Sequence, residues 1–263
     1  MNNSQDVNMN MLDKQNNDLA AILMAAGKGT RMRNSEKAKV MFEVGGLPMI
    51  HHVVNQAMNS GANKVIVIVG HNKEDVKDYL KNVFEDKVEF AEQLQQLGTG
   101  HAVIQAIPNL ENFNGDVLIL SGDVPLLSSE TIKLLFQEHS ITNSSATILT
   151  VIAENPTGYG RVIRNQNNVV EKIVEQKDAN QTELLVKEIN SGIYVFKCKE
   201  LKESLSKITN DNSQGEYYLT DVIGKLVEKG KKITAFLSNN FNEVQGVNTP
   251  EHLAEVEKFM SII

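Results

Sequence analysis

Short apolar runs alternate with amphipathic segments through the first half of the chain. Strands are predicted where apolar and β-branched residues run together, at Leu19–Ala25, Lys64–Gly70, Lys87–Gln93 and Gly115–Asp123. Helices are predicted where apolar residues recur at helical spacing, at Pro48–Gly61, Lys73–Phe84 and Gly98–Leu110. This alternating order predicts an α/β fold with an open, doubly wound and mostly parallel sheet.

The pattern changes after about residue 144. Strand-like pieces joined by short turns follow, at Ser145–Ala153, Gly160–Gln176 and Glu188–Cys198, and they predict an antiparallel insertion. A helix near Thr220–Lys229, a strand at Lys232–Leu237 and a last helix from Pro250 complete the pattern. With no linker-like stretch between the halves, residues 19–263 are expected to form one domain.

The first 18 residues are polar and rich in asparagine. They lack the basic start and apolar core of a signal peptide. We expect residues 1–18 to be a disordered tail, or upstream sequence before a later start at Met9 or Met11.

Composition removes several classes of function. The chain has 263 residues and a formal net charge of −7 without a basic block, which argues against a nucleic-acid partner. No run approaches the roughly 18 apolar residues of a membrane span. The single cysteine, Cys198, permits no internal disulfide and is typical of the reducing cytoplasm, where we expect the protein to act.

Three polar, glycine-bearing loops follow predicted strands, at Ala25–Arg31, Gln93–Ala102 and Ser121–Leu126. Ligands of doubly wound sheets bind at the carboxyl ends of the parallel strands, where such loops meet. The sequence therefore predicts one crevice that all three loops line.

The first of these loops carries Gly27, Gly29 and the cations Lys28 and Arg31, with Lys39 a few residues on. It matches neither the P-loop nor the Gly-x-Gly-x-x-Gly pattern. Glycines let backbone N–H groups approach an anion closely. Two interpretations remain open, an anion-binding loop of another kind and an ordinary strand-to-helix turn.

Asp123 lies at the tip of the predicted strand that ends near Ser121. A carboxylate there suits a hard cation such as Mg²⁺, with waters and substrate phosphates as further ligands. The alternative is a turn-forming aspartate before Pro125. The adjacent pair His51 and His52 points in directions about 100° apart on a helix and is a poor zinc site.

Several stretches together resemble the nucleotidyltransferases that activate sugar 1-phosphates. They are LMAAGKGTRM, KAKV, QLGTGHA, SGDVPL, PTGYGRV, IVEQKDA, EINSGI, NSQGEYYLTD and EVQGVN. The likeness runs from about Leu19 to the final helix and is greatest to uridylyltransferase domains that make UDP-N-acetylglucosamine, a precursor of peptidoglycan in the cell wall. It implies a Rossmann-like fold, Mg²⁺ as cofactor, and UTP and N-acetylglucosamine 1-phosphate as substrates.

The resemblance also implies roles for individual residues. Met24, Ala25, Ala26 and Gly27 would wrap the nucleotide, and Lys39 would contact a substrate phosphate. The uracil would be read by Gln93, Gly98 and Thr99, while Ser121, Gly122 and Asp123 would lie by the ribose and metal. The sugar site would be lined by Gly160, Glu175 and Asn190. Asn248 would share Mg²⁺ with Asp123.

The implied reaction joins two anions, so electrostatics should dominate it. Lys28, Arg31 and Lys39 are expected to screen the triphosphate and stabilise the departing pyrophosphate. The sugar phosphate is already ionised near neutral pH, so no general base is required. We expect direct in-line displacement without a covalent intermediate.

The chain departs from the family pattern at four positions. Met24 replaces leucine, Ala38 replaces proline, Gln95 replaces glutamate, and Ser121 stands where some members have tyrosine. None of these changes removes a charged group assigned to catalysis.

Two alternatives to this function stay open. One is a nucleotidyltransferase for another sugar 1-phosphate, and the other is a non-catalytic sugar-nucleotide-binding protein on the same fold. No hexapeptide repeat precedes Ile263, so we expect this chain to perform only the uridylyl step, as a monomer or weak dimer.

Overall fold

The computed structural model describes residues 18–34 and 36–260. Its strands run in chain order as β1 Leu19–Ala25, β2 Glu43–Val44, β3 Leu47–Pro48, β4 Lys64–Val69, β5 Val88–Glu92, β6 Asp116–Ser121, β7 Ala146–Ile152, β8 Arg161–Arg164, β9 Val170–Val174, β10 Glu188–Lys197 and β11 Ile233–Ser238. The helices are α1 Met49–Asn59, α2 Lys73–Phe84, α3 Thr99–Ala106, α4 Ser129–Thr142, α5 Cys198–Leu205, α6 Asp221–Glu228, α7 Phe241–Val244 and α8 Pro250–Met260.

Within the described residues, one mixed sheet has the strand order β11-β7-β10-β6-β1-β4-β5, and the β8–β9 hairpin extends from β10. The strands β5, β4, β1 and β6 are parallel, and β11 is parallel to β7. Strand β10 is antiparallel to both β6 and β7. This arrangement confirms the doubly wound, mostly parallel sheet with an antiparallel part.

The strands carry apolar residues on both faces because helices cover both sides of the sheet. In β1, Leu23 packs in one core cluster and Ile22 in the other, and both are fully buried. Helices α1, α2 and α4 supply residues to the first cluster, and α3, α5 and α6 supply residues to the second. Continuous apolar strands are the expected pattern for such a sheet.

Strand β1 lies between β4 and β6, so the chain winds away from it first in one direction and then in the other. This reversal creates a topological switch point at the carboxyl end of β1. The loops after β1 and β6 therefore open a crevice there.

The predicted strands and helices are confirmed, but three helices, α4, α5 and α7, and the short strands β2 and β3 were not anticipated. Helix α4 is capped by Ser128, whose hydroxyl accepts a hydrogen bond from the Thr131 N–H at 3.1 Å. Leu134 and Ile141 of this helix are exposed, so its apolar residues do not lie on one face and the helical pattern is blurred.

The expected tail falls mostly on residues 1–17, which lie outside the described residues. Asp18 is described, and its carbonyl accepts a hydrogen bond from the Asp116 N–H at 2.9 Å. Cys198 is buried. Among the helices of the described part, none is long and apolar enough to cross a membrane.

Candidate active site

Three adjoining cavities lie over the carboxyl ends of β1 and β6, with volumes of about 270, 250 and 200 Å³. Ser121 lines all three, so they form one continuous crevice. We call them the nucleotide, phosphate and sugar cavities, in that order, after the ligands that the sequence resemblance assigns to their lining residues. Larger cavities lie elsewhere, including one of about 440 Å³ beside β9 and α6, but none of the loops after β1, β5 and β6 lines that one.

Charged and amide side chains meet where the nucleotide and phosphate cavities join. The Lys39 ammonium donates hydrogen bonds to Asp123 Oδ2 and, at 3.1 Å, to Asn248 Oδ1. The Arg31 guanidinium donates to the same Asn248 oxygen at 2.9 Å. The side chains of Lys39 and Asp123 are only 16% and 15% exposed, so little water screens this pair.

The segment Gly246–Asn248 holds this cluster together. The Val247 N–H donates to the Asp123 carbonyl at 2.9 Å, and the Asn248 amide donates to the Gly246 carbonyl at 3.2 Å. The second bond turns the Asn248 oxygen towards the two cations. The hydrogen bond between Arg31 and Asn248 thus joins the loop after β1 to a residue 217 positions later in the chain.

Asp123 and Asn248 present oxygen atoms to the same small volume, because both accept hydrogen bonds from one ammonium group. One carboxylate and one amide oxygen are hard donors that suit Mg²⁺, with phosphates and waters as its other ligands. Within the described residues no group of three or more His, Cys, Asp or Glu side chains could hold a metal by itself. The residues present therefore fit a cation that binds together with a phosphorylated substrate.

The two glycines of the loop Ala25–Arg31, which we call the opening loop, have different surroundings. A Cβ on Gly29, which has φ of +60°, would lie 2.6 Å from the Cβ of Lys39. A Cβ on Gly27 would meet nothing within 4 Å, although Gly27 lines the nucleotide cavity. Gly29 is thus required by the fold, whereas the space beside Gly27 is open.

The alternative of an ordinary strand-to-helix turn does not describe this loop. A short 3₁₀ turn, Thr30–Met32, follows β1, and α1 begins only at Met49. The structure brings Arg31 and Lys39 to the crevice. The side chain of Lys28 is exposed and lines none of the three cavities, so its catalytic role has no support in the geometry.

The residues assigned to uracil line the far end of the nucleotide cavity. Gln93 is 4% exposed, and its amide nitrogen donates to the Gly98 carbonyl at 3.1 Å. Gly98 has φ of +110°, and a Cβ there would lie 2.5 Å from the Tyr217 carbonyl oxygen. The Thr99 hydroxyl accepts a hydrogen bond from the Leu219 N–H at 3.0 Å.

The base of the crevice joins β1 to β6. Met24 and Ser121 are register partners on these strands, and the Gly122 N–H donates to the Met24 carbonyl at 3.0 Å. Ala25 and Ala26 continue from Met24 along the wall of the nucleotide cavity. These small side chains leave room for a flat ligand.

A bulge in β10 shapes the sugar cavity. Its pairing with β7 shifts between Asn190 and Tyr194, around Gly192 with φ of +80°. The Asn190 amide donates to the Tyr194 hydroxyl at 2.6 Å and accepts from the Gly192 N–H at 3.1 Å. Both ends of the amide are therefore oriented. Gly160 lies beside it, and its carbonyl accepts from the Asn190 N–H at 2.9 Å.

Glu175 also lines the sugar cavity. Burial raises the pKa of its carboxyl, and the negative charges of Asp178, Asp221 and Glu216 add to this shift. A hydrogen bond from the Thr220 hydroxyl, 3.1 Å away, opposes it only in part. The site thus holds a carboxyl that ionises less readily than usual.

The match to a family model decides the classification of the chain. Residues 20–255 match the model of the nucleotidyl transferase family. This chain belongs to the nucleotidyl transferase family. The match covers nearly all of the described structure, so the expectation from the sequence motifs is confirmed.

Comparison with curated relatives shows which members of this family the chain is similar to. The chain is 49% identical over 240 residues to the "Bifunctional protein GlmU" of Bacillus mycoides (strain KBAB4), an alignment of 91% of this chain and 51% of that one. It is 50% identical to the protein of the same name from Limosilactobacillus reuteri (strain DSM 20016), over 91% of this chain and 52% of that one. The chain therefore spans about half the length of these relatives.

Solved structures show the same fold at much lower identity. A UDP-glucose pyrophosphorylase complexed with UDP-glucose superposes with a TM-score of 0.76 and 17% identity, covering 93% of this chain and 99% of that one. A putative glucose-1-phosphate thymidylyltransferase from Bacillus anthracis gives 0.75 and 20%, covering 93% and 96%. These likenesses support the nucleotidyl transferase architecture.

Sequence reasoning did not single out several residues of this nucleotidyl transferase crevice. Tyr159 lines the phosphate and sugar cavities, and burial together with the Asp123 carboxylate raises its pKa. Glu216 lines the nucleotide cavity, and Leu219 and Thr220 line the sugar cavity. Both regions lie in stretches that carried the resemblance, PTGYGRV and NSQGEYYLTD, and this was the available signal.

His51 and His52 have separate hydrogen-bond partners in the structure. His52 Nε2 lies 2.8 Å from the Val44 carbonyl, and His51 Nδ1 lies 3.0 Å from the Tyr79 hydroxyl. The two rings bind different elements and do not converge on one point.

Proposed function

We propose that this chain transfers UMP from UTP to N-acetylglucosamine 1-phosphate and so forms UDP-N-acetylglucosamine and pyrophosphate. The observation that carries the proposal is the convergence of Lys39, Asp123 and Asn248 between a nucleotide cavity and a sugar cavity. The identity of about one half to proteins named GlmU supports this choice of acceptor.

The reaction requires one bond to form and one to break at the α-phosphorus of UTP. A phosphate oxygen of the sugar phosphate bonds to this phosphorus, while the bond to the bridging oxygen of the β-phosphate breaks. Both electrons of the broken bond leave with pyrophosphate. The incoming oxygen is already anionic near neutral pH, so proton removal is not part of this step.

Electrostatic stabilisation and positioning then account for catalysis. Arg31 and Lys39 approach the phosphate cavity from the opening-loop side and would stabilise negative charge on the leaving pyrophosphate. Asp123 and Asn248 would hold Mg²⁺. When bound, this ion neutralises phosphate charge and orients the phosphate groups.

The sugar cavity supplies acceptor specificity in this proposal. The Asn190 amide is oriented by two hydrogen bonds, and Glu175 faces the same cavity. An acetamido group and sugar hydroxyls would satisfy these polar groups, whereas an acceptor that lacks the acetamido group would leave some of them unpaired.

The remaining expectations belong to the same proposal. We infer that the reaction takes place in the cytoplasm, without a nucleic-acid or membrane partner, and that the chain is a monomer or weak dimer. Light scattering at micromolar concentration measures the oligomeric state directly. A stable trimer would contradict this part.

Pyrophosphate release from UTP tests the function against its alternatives. With Mg²⁺ present, we expect rapid release with N-acetylglucosamine 1-phosphate, and slower release with glucose 1-phosphate and galactose 1-phosphate. A preference for another acceptor would indicate a different sugar branch. UTP or UDP-N-acetylglucosamine binding without any turnover would indicate a non-catalytic binding protein.

A further inference from the structure

One irregular segment, Asn212–Thr220, borders both halves of the crevice, and we call it the strap. It lies between α5 and α6. Glu216 of the strap lines the nucleotide cavity, whereas Leu219 and Thr220 line the sugar cavity. A displacement of the strap would therefore alter both cavities at once.

The strap is bound to the nucleotide side by main-chain hydrogen bonds. The Tyr217 N–H donates to the Leu97 carbonyl at 2.8 Å, and the Tyr217 carbonyl accepts from the Gly100 N–H at 2.8 Å. Tyr217 also lies so close to Gly98 that no side chain fits there. The loop assigned to uracil is thus in direct contact with the strap.

The other end of the strap reaches the sugar side. The Thr220 hydroxyl donates to Glu175 at 3.1 Å, and Thr220 is only 4% exposed. Because Glu175 forms the wall of the sugar cavity, the position of the strap determines how this carboxyl is held.

Asp178 holds the middle of the strap. It lies three positions after Glu175, in the turn after β9, and its N–H donates to the Glu175 carbonyl at 2.9 Å. Its two carboxylate oxygens accept hydrogen bonds from the Ser213 N–H at 2.9 Å and the Tyr218 hydroxyl at 3.1 Å. Desolvation opposes ionisation of Asp178, but these bonds outweigh it and lower the pKa.

Tyr218 is well placed to make this contact. It is 6% exposed, and its hydroxyl accepts a hydrogen bond from the Gln214 amide at 2.8 Å while it donates to Asp178. Neither Tyr218 nor Asp178 lines any of the three cavities over β1 and β6. Tyr218 must therefore influence substrates through the strap, whereas Asp178 also acts directly on Glu175, through its charge and its backbone hydrogen bond.

We propose that Asp178 and Tyr218 are positioning residues that hold the strap against both cavities, so that the uridine and sugar subsites form together. The effect on the sugar phosphate rests on the proposed function. The effect on UTP does not, because it can be measured as binding without turnover.

The variant Tyr218→Phe removes one hydroxyl and keeps the ring. We expect the UTP dissociation constant and the KM for N-acetylglucosamine 1-phosphate each to rise about tenfold, the effect of losing one hydrogen bond to a charged group. The kcat should stay within about twofold, because the interaction supports ground state and transition state alike. UTP binding is measured by calorimetry and turnover by pyrophosphate release.

A double-mutant cycle tests whether the two residues act as a pair. Asp178→Asn keeps an oxygen for the Ser213 N–H and removes the charge that faces Tyr218. If the pair acts through one contact, the UTP dissociation constant of the double variant should not exceed that of the single variant with the lower UTP affinity. The matched control is Tyr79→Phe, whose hydroxyl bonds His51 outside the crevice and should leave both constants unchanged.

The outcomes separate this inference from the proposed function. Unchanged UTP binding in Tyr218→Phe, additive effects in the double variant, or a change confined to one substrate would overturn the role of the strap. Absence of turnover in the unaltered protein, with UTP binding still weakened by Tyr218→Phe, would overturn the proposed function and leave the strap intact.

Discussion

Two alanine substitutions in the opening loop should have opposite consequences. Gly29 has a left-handed backbone, and its Cβ would meet Lys39 Cβ at 2.6 Å, whereas Gly27 has open space around it. Gly29→Ala should therefore damage the fold, and Gly27→Ala should damage only nucleotide binding. The pair separates the structural from the functional role of this loop.

Two effects lower the free energy of unfolding in Gly29→Ala. An alanine in the left-handed region costs about 1–2 kcal/mol, and overpacking costs about 1–3 kcal/mol. Lys39 Cβ cannot simply swing away, because it is attached to the backbone of the 3₁₀ turn Lys39–Met41. We expect a total loss of about 2–5 kcal/mol, which corresponds to a Tm lower by about 4–20 °C for a chain of this size.

Gly27→Ala should change stability by no more than about 0.5 kcal/mol, because its Cβ contacts nothing in the protein. The added methyl group should nevertheless lower the UTP affinity about tenfold or more, because it would clash with a ligand in the nucleotide cavity.

Thermal unfolding followed by circular dichroism and UTP calorimetry measure the two effects on the same preparations. An unchanged Tm in Gly29→Ala would refute the packing argument. Normal UTP affinity in Gly27→Ala would refute the placement of the nucleotide beside the loop.

Three further predictions concern the charged and polar groups of the crevice. Asp123→Ala should lower kcat at least about a hundredfold with the fold retained. Asn248→Ala should lower kcat less, since a neutral ligand contributes less to Mg²⁺ binding. Steady-state rates over a Mg²⁺ titration measure both effects, and wild-type rates in Asp123→Ala would contradict the metal site. Arg31→Ala should lower kcat about a hundredfold with little change in UTP affinity, so a pure increase in KM would exclude the assigned role. Glu175 has a raised pKa, so its protonated form favours folding, and that contribution is lost as the pH rises above the ordinary value of 4.5. The Tm of Glu175→Gln relative to that of the wild type should therefore rise over this range, and a constant difference would argue against a raised pKa of this carboxyl.

Much of the sheet could be predicted from sequence because its strands are buried on both faces and appear as continuous apolar runs. Leu19–Ala25 and Lys73–Phe84 have the same bounds in the structure as in the prediction. Helix α4 could not be recognised as readily, because exposed Leu134 and Ile141 obscure its periodicity.

The candidate site was predictable where residues directly follow strands. Asp123 and the loop after β1 could be placed at one sheet edge by topology alone. Asn248 lies far along the chain, and only the resemblance indicated that it would approach Asp123. The hydrogen bond between Asp178 and Tyr218 joins a hairpin turn to an irregular segment, and no periodic pattern encodes such a contact.

Lys28 shows the limit of reasoning from charge and proximity in sequence. It lies between two glycines of the opening loop, yet its side chain is exposed and outside the crevice cavities. In a loop, neighbouring side chains diverge, so adjacency does not establish a shared direction. The contribution of Lys28 to catalysis stays a prediction.

A competition assay tests the central claim most directly. Equal concentrations of N-acetylglucosamine 1-phosphate and glucose 1-phosphate are supplied with UTP and Mg²⁺ in one vessel, and mass spectrometry follows both UDP-sugars. Their initial ratio equals the ratio of kcat/KM values. We predict UDP-N-acetylglucosamine in at least about tenfold excess, because glucose lacks the acetamido group that would use the remaining hydrogen-bonding capacity of the oriented Asn190 amide and of Glu175. Equal amounts of both products, or an excess of UDP-glucose, would contradict the account.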